Sequence, residues 1–165
     1  MIKKTIISSM IFLSVSTVTF AKSTSYVGGS LSAGGYSQVG GMQGVGASVF
    51  GGKGWYDANE KLYLGTELGA NVTHHSKSYN SVGVGASLLP GVMLTKSTML
   101  YGRVGLVGDY ANVKSPVQDS YTFSTQVGLG LQTNVTKKWD MRAEYATFGY
   151  NRSNQVSLGL VYKLD

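Results

Sequence analysis

Cysteine, proline and charged residues are absent or rare in this 165-residue chain, and each of these shortages excludes or disfavours a class of protein. There is no cysteine, so no disulfide framework holds the fold together. The 2 prolines against 23 glycines suit many strands and tight turns. Charged residues make up 13% of the chain, and its net charge of +6 is scattered. Because no basic run alternates with aromatic residues, the sequence argues against a nucleic-acid partner.

The first 21 residues have the order of a secretory signal peptide. Lys3 and Lys4 form a positive start, a largely apolar stretch follows, and Thr19 and Ala21 are the small residues expected before a cleavage site. A transmembrane anchor is the alternative, which the serines within the apolar stretch disfavour. We therefore predict cleavage of residues 1–21. The remaining chain contains no run of ~20 apolar residues, which excludes a helical membrane span.

The stretch from Lys61 to Thr73 shows the pattern on which the remaining chain is built. Apolar residues such as Leu62, Leu64 and Leu68 alternate with Tyr63, Glu67 and other more polar or small residues. A period of two residues predicts a strand with one apolar and one polar face. At ~3.3 Å per residue, about a dozen residues can cross a bilayer as a tilted strand.

This alternation recurs eight times between residues 22 and 165. The predicted strands cover 25–35, 44–56, 61–73, 81–94, 99–110, 121–134, 139–148 and 154–165. Very short turns at 57–60, 95–98 and 135–138 alternate with longer polar loops at 37–43, 74–80, 111–120 and 149–153. Such asymmetry is typical of membrane barrels. The predicted fold is therefore all-β, an eight-stranded antiparallel up-and-down transmembrane β-barrel over 22–165, with pairing bulged or broken at Pro90.

The composition of the two faces indicates whether the apolar face contacts lipid or a protein core. We expect this face to be free of charge, whereas the opposite face is mostly glycine, serine, glutamine and asparagine, a poor exterior for a soluble protein. A soluble β-sandwich is the structural alternative. The residues assigned to the lipid-facing side are Leu62, Leu64, Leu68, Val72, Val82, Val84, Leu88, Leu100, Val104, Leu106, Val127, Leu129, Leu131, Leu158 and Leu160.

Four charged residues fall on the inward face near the middle of their strands. Glu67, Arg103, Arg142 and Glu144 are two carboxylates and two guanidiniums, so their charges balance. Buried charges persist when they are paired and hydrogen-bonded. The hypothesis is one interior ion-pair network, and the alternative is four unrelated solvent-facing charges.

Aromatic residues cluster near both predicted strand ends, where outward rings would form interfacial girdles. By parity, Tyr63 and Tyr101 point inward and are predicted to fill the interior. The remaining members are Trp55, Tyr56, Trp139 and Tyr162 at one end, and Tyr36, Tyr79, Tyr110, Tyr121, Phe148 and Tyr150 at the other.

The strand motifs resemble a known group. The stretches Tyr63–Gly69, Leu89–Gly91, Leu100–Gly105 and Met141–Tyr145 are similar, in order and spacing, to the small eight-stranded Gram-negative outer-membrane barrels of the OmpX, OmpA-barrel and opacity-protein kind. The resemblance implies an outer-membrane location and insertion by the outer-membrane assembly machinery. It also implies a C-terminal insertion signal, here Leu158, Leu160, Tyr162 and Leu164, although the chain ends in aspartate instead of an aromatic residue.

Candidate catalytic chemistry is confined to His74, His75 and Ser76. Adjacent residues on a strand point apart and no third ligand is near, so we predict no metal site. Some barrels of this kind are lipid A deacylases with a His-x-Ser pair, but no acidic residue shares the predicted lipid face with His74 and Ser76. Glycine runs lie within strands and form no phosphate loop. We therefore predict no catalytic, metal or cofactor-binding residues, and no cofactor.

The predicted function is a structural or surface-interaction role: envelope integrity, adhesion or host contact, with the lumen plugged by side chains. A lipid A-modifying hydrolase and a narrow solute channel are the alternatives. Expected partners are outer-membrane lipid and lipopolysaccharide, the assembly machinery and host surface molecules. The protein is expected to be a monomer integral to the outer membrane.

Overall fold

A computed structural model describes residues 20–36, 42–75, 79–113, 120–149 and 153–164. These residues form eight strands in one sheet. No helix in the described ranges is long and apolar enough to cross a membrane. The strands are β1 Phe20–Tyr36, β2 Met42–Asp57, β3 Leu62–His75, β4 Tyr79–Met93, β5 Thr98–Val113, β6 Ser120–Asn134, β7 Trp139–Phe148 and β8 Ser153–Lys163.

The sheet closes into a barrel because β1 pairs antiparallel with both β2 and β8. Paired residues can be followed once around the wall, from Asn134 on β6 back to β6 at Ser124, which lies ten residues away along the same strand. This stagger corresponds to a strand tilt of roughly 40°. The line passes through Asn134, Asp140, Val161, Gly28, Phe50, Gly69, Gly85, Val107 and Ser124.

The predicted fold class is confirmed; β1 to β6 are longer than predicted, whereas β7 has its predicted bounds and β8 is one residue shorter than predicted. Strand residues extend into each predicted long loop, at 42–43, 74–75, 79–80, 111–113, 120 and 153. The longer strands continue the alternation beyond the apolar run, because backbone pairing does not need apolar side chains at the barrel rim. The predicted signal segment lies outside the described residues, apart from Phe20 and Ala21 at the start of β1.

Pro90 interrupts pairing without shifting it. Between β4 and β5 the ladder reaches Leu88–Val104 and resumes at Gly91–Tyr101 in the same register. On the other side, Pro90 pairs with Leu64 of β3. The missing backbone N–H of proline therefore produces a locally broken pairing, one of the two outcomes predicted for this position, and no bulge.

The short β2–β3 turn is stabilised by Asp57. Its Oδ1 accepts the backbone N–H of Lys61 at 2.6 Å and of Leu62 at 2.8 Å. These bonds, above all the one from Leu62, hold the pKa of the Asp57 carboxyl below its ordinary value. Glu60 has a left-handed φ of 53° in the same turn, and its carboxylate pairs with Lys22 at 2.9 Å.

Candidate functional site

The barrel lumen holds the most distinctive arrangement of side chains. Glu67 on β3, Arg103 on β5, and Arg142 and Glu144 on β7 meet inside, and each is at most 9% exposed. Glu67 accepts a bond from each arginine, at 2.6 Å from Arg103 Nη2 and 2.6 Å from Arg142 Nη1. Arg103 Nε also donates to Glu144 Oε2 at 2.9 Å. The four residues named in the sequence hypothesis therefore form one connected charge cluster.

Aromatic rings surround this charge cluster. The Tyr101 hydroxyl donates to Glu144 at 2.6 Å, and the Tyr26 hydroxyl donates to Glu67 at 3.3 Å. The Arg142 guanidinium carbon lies 4.7 Å from the centre of the Phe50 ring and 5.3 Å from that of Tyr101. These contacts supply hydrogen bonds and cation–π attraction where water is largely excluded.

Glycines on neighbouring strands provide the space for the rings. A Cβ at Gly130 would overlap the Tyr101 ring, and one at Gly52 would lie 2.6 Å from the Tyr26 hydroxyl. The same holds at Gly54, whose missing side chain makes room for Tyr63. An eight-stranded lumen is narrow, so large residues fit where glycines face them. This explains the glycine-rich inward face of the sequence.

A second polar group, which the sequence analysis missed, lies on the short-turn side of the charge cluster. Asp140 on β7 is 2% exposed; Lys163 Nζ lies 2.8 Å from its Oδ1, and Gln132 Nε2 donates to its Oδ2 at 2.7 Å. Gln132 Oε1 accepts two bonds from Arg142, at 2.9 and 3.1 Å, and so joins this group to the cluster. The shared parity of Asp140 with Arg142 and Glu144 is the signal that could have revealed it.

An apolar layer fills the lumen beside these groups. Tyr63, Leu89, Met99 and Tyr101 are buried together, with Tyr56 packed against them. The rings of Tyr56 and Tyr63 are 5.1 Å apart. Tyr63 and Tyr101 thus point inward, as their parity predicted. With the charged groups, this layer occupies the short-turn half of the barrel.

The other half of the lumen is polar and contains a cavity of about 110 Å³. Ser30 and Ser48 share a hydrogen bond of 2.7 Å along its wall, and the Ser87 hydroxyl donates to Gln126 at 3.4 Å. The charge cluster forms one end of this cavity. Phe148, which the sequence analysis grouped with the rim aromatics, has its half-buried side chain on the cavity wall.

The outward face is apolar along all eight strands, with one correction to the prediction. Leu31, Leu68, Leu106 and Leu158 are each more than 60% exposed. The expectation of an uncharged face fails at Lys53, which is exposed between Ser25 on β1 and Thr66 on β3. A lysine is tolerated here because its flexible chain can carry the ammonium group toward the interface.

Outward aromatic residues mark both rims of the apolar face. At the short-turn end, the rings of Trp139 and Tyr162 are 4.9 Å apart, and Trp55 shares their outward parity. At the opposite end, Tyr110 and Tyr121 are 5.0 Å apart and Phe123 is 88% exposed. We call these two sets the short-turn girdle and the outer girdle. The side chains of Tyr36, Tyr79 and Tyr150 lie outside the described residues.

His74 is exposed at the outer end of β3, and its Nδ1 lies 2.7 Å from Asn80 Oδ1. Thus its ring is held by an amide. The side chain of His75 and the whole of Ser76 lie outside the described residues. Among the residues that are described, no group of three His, Asp or Glu side chains is placed to hold a metal ion.

Comparison with a family model decides the class of the protein. A model described as "Outer membrane protein beta-barrel domain" matches residues 5–163. The chain belongs to this family. Its members' outer-membrane location accounts for the apolar exterior and the two aromatic girdles. A search of curated proteins finds no match.

Solved structures show the same fold at low sequence identity. The attachment invasion locus protein Ail of Yersinia pestis is 16% identical with a TM-score of 0.60, over 88% of this chain and all of that chain. Neisserial surface protein A is 18% identical with a TM-score of 0.61, over 88% of this chain and 99% of that chain. The outer membrane enzyme PagL is 14% identical with a TM-score of 0.58, over 84% of this chain and 99% of that chain.

Membership of the family orients the barrel in the membrane. Short turns face the periplasm and longer links face outward in outer-membrane barrels. The links at 58–61, 94–97 and 135–138 are therefore periplasmic. Of the predicted insertion signal, Leu158, Leu160 and Tyr162 alternate along the outward face of β8, and Leu164 follows that strand. Its role in insertion remains a prediction.

Proposed function

We propose that this protein is a closed, non-conducting outer-membrane barrel with a structural and surface-interaction role. The connected interior filling carries this proposal: the charge cluster, Asp140 and Lys163, and the apolar layer around Tyr63 occupy the periplasmic half of the lumen. A solute would have to break several buried ion pairs to pass. The interior thus favours a role at the membrane surface over transport, and a monomer suffices for it.

Planar-bilayer recording tests the closed interior. The purified barrel should show no steady single-channel steps in symmetrical salt. The control is a variant in which Arg103 and Arg142 are both changed to Ala, with refolding checked by heat-modifiable migration. This variant lacks the two buried guanidiniums, and it should conduct if the recording can detect an opening as narrow as the emptied lumen. Steady conductance by the unchanged protein would favour the narrow-channel alternative.

The surface role divides into envelope integrity and contact with host molecules. Replacing residues 37–41, 76–78, 114–119 and 150–152, which join consecutive strands at the outer end, by Gly-Ser sequences of equal length should remove host contact but leave the barrel in place. A strain lacking the protein would lose both functions. Comparing detergent sensitivity and attachment to host cells in the two strains separates the roles. Wild-type behaviour of the deletion strain in both assays would contradict the proposal.

A lipid A-modifying hydrolase is the second candidate, supported by the outward, Asn80-bound His74 at the outer rim. No acidic side chain of the described residues hydrogen-bonds this histidine, and a neutral amide would stabilise an imidazolium less well than a carboxylate. Changing His74 to Ala and measuring lipid A acylation tests this candidate. Under our proposal the acylation pattern is unchanged by the substitution.

A further inference from the structure

Lys53 is an exception on the membrane-facing wall. Among the described strand residues between the two girdles, it is the one Lys, Arg, Asp or Glu that points outward. No carboxylate of the described residues lies within ion-pairing distance, and its Nζ is 6.0 Å from the centre of the Trp55 ring. A charge turned toward lipid is costly unless it reaches the interface or meets a counter-charge. The Lys53 ammonium group, carried to the periplasmic interface with no protein carboxylate of the described residues beside it, is therefore available to bind an anionic lipid headgroup.

On β2, an apolar groove begins at Gly51, two residues from Lys53, and extends toward the centre of the membrane. It runs over the outward side of β1 and β2, between β8 and β3, and its periplasmic end lies at Trp139 and Tyr162. Gly29 and Gly51 form its floor, and Leu31, Leu68 and Leu160 stand along it. We call this surface the β1–β2 groove.

The glycine at position 51 is not required by the protein's own packing. A Cβ there would lie 3.6 Å from the Tyr26 carbonyl oxygen and 3.7 Å from Val27 Cγ1, both ordinary contacts. A glycine within a strand costs about 0.5–1 kcal/mol relative to alanine. The space above Gly51 is thus left open toward the membrane, where it can receive a group from outside the chain.

The span from Lys53 to the far end of the groove matches one membrane leaflet. Lys53 lies two residues beyond Gly51, the last groove residue of β2, and the distance from Lys53 to Ala47 at the far end of the groove is six residues along β2. At about 3.3 Å per residue and a tilt of roughly 40°, this rises about 15 Å, half of a hydrocarbon core of about 30 Å. An anionic headgroup joined to an acyl chain fits this surface, because the cation lies at the interface and the apolar groove continues from it toward the centre of the membrane.

We propose that the β1–β2 groove binds an anionic glycerophospholipid of the periplasmic leaflet, with the phosphate at Lys53 and one acyl chain over Gly51 and Gly29. This site goes beyond the proposed surface role, which concerns the outer links. The leaflet is assigned because Lys53 lies beside Trp55 of the short-turn girdle, at the periplasmic end of the barrel.

Tryptophan quenching provides a direct test, because the chain has 2 tryptophans and both Trp55 and Trp139 lie at this end of the barrel. The full barrel is refolded into phosphatidylcholine vesicles that contain brominated phosphatidylglycerol, or brominated phosphatidylcholine for comparison. Quenching by the anionic lipid should indicate binding about fivefold tighter, the ratio expected for one lysine at the interface. Lys53→Gln should abolish this preference, Lys53→Arg should keep it, and Lys96→Gln, in the β4–β5 turn, should leave it unchanged.

A second variant tests the groove independently of the charge. Gly51→Leu should weaken quenching by both brominated lipids, with folding checked by heat-modifiable migration; Gly51→Ala serves if the leucine variant does not fold. Equal quenching of the unchanged protein by the two lipids, or an undiminished preference in Lys53→Gln, would overturn the proposal. Displacement of the brominated phosphatidylglycerol by lipid A more readily than by unlabelled phosphatidylglycerol would overturn the assigned leaflet.

Discussion

Arg142 and Glu67 are 75 residues apart in the chain, yet the Arg142 Nη1 donates to Glu67 Oε2 at 2.6 Å inside the barrel. Their strands, β7 and β3, lie on opposite sides of the wall, so the contact spans the lumen. Glu67 also accepts a hydrogen bond from Arg103 on β5, so a single carboxylate links β3, β5 and β7. Removal of its charge should affect the whole interior.

Changing Glu67 to Gln should destabilise the barrel by about 3 kcal/mol, because the buried Arg142 loses its carboxylate partner and Arg103 keeps only Glu144. Urea unfolding in lipid vesicles, followed by tryptophan fluorescence, measures the effect. The matched control is Glu60→Gln, which removes an exposed carboxylate paired with Lys22 and should cost less than about 1 kcal/mol. Equal effects in the two variants would mean that the interior charges do not act as a network.

Two glycine-to-alanine changes should differ in their effect on stability. At Gly130 a Cβ overlaps the Tyr101 ring, so Gly130→Ala should cost about 1–3 kcal/mol and loosen the hydrogen bond from Tyr101 to Glu144. At Gly102 the nearest atoms would be 3.9 Å away, so Gly102→Ala should be neutral or slightly stabilising. The same unfolding assay compares them. A similar loss in both variants would contradict the role of Gly130 in seating the ring.

Asp140 and Lys163 should be energetically coupled. Asp140→Asn and Lys163→Met each leave a charge without its partner, whereas the double variant removes both charges. A double-mutant cycle on the free energy of unfolding should give a coupling of about 1–3 kcal/mol. Additive effects would show that the hydrogen bond from Gln132 is sufficient to stabilise the buried Asp140 carboxylate without Lys163.

The β2–β3 turn should weaken in acid because the Asp57 carboxylate accepts two backbone bonds. Its pKa in the folded state lies below the ordinary value, so its contribution is present above about pH 3.9 and is lost as pH falls through the folded pKa. NMR titration of the Asp57 carboxyl carbon should give a midpoint below 3.9, and the Leu62 amide shift should follow it. In Asp57→Asn the amide shift should not titrate over this range. A midpoint at or above 3.9 would contradict this reading of the turn.

Much of the architecture could be predicted because the alternation of strand residues has a period of two. That period assigns a face to every residue, and it predicts that Glu67, Tyr63 and Tyr101 point inward, as the structure shows. The same rule assigns Lys53 to the outward face and Asp140 to the inward face. Neither was predicted to be a charged site, because each lies toward a strand end and has uncharged residues beside it on its own face. The outer links were predicted too long, since composition marks polar residues and cannot show that they are still paired.

The partners of inward side chains could not be read in this way. The alternation shows that a residue points into the lumen, but its position along the barrel axis depends on the stagger of the closed sheet. A shift in that stagger would move β7 against β3 and bring different residues opposite Glu67. The hydrogen bond from Gln132 to Asp140, and the position of the Tyr101 ring over Gly130, depend instead on the register between neighbouring strands.

The amino-acid order alone determined the number of strands, the apolar exterior, the short and long ends, and thereby an outer-membrane barrel. Local alternation suffices for these properties, because each follows from neighbours along the chain. Only the tertiary structure decided which charges meet, where the lumen is filled and where the exterior is grooved. Those features arise from closure of β1 on β8, which brings residues into contact across the barrel that no local pattern relates.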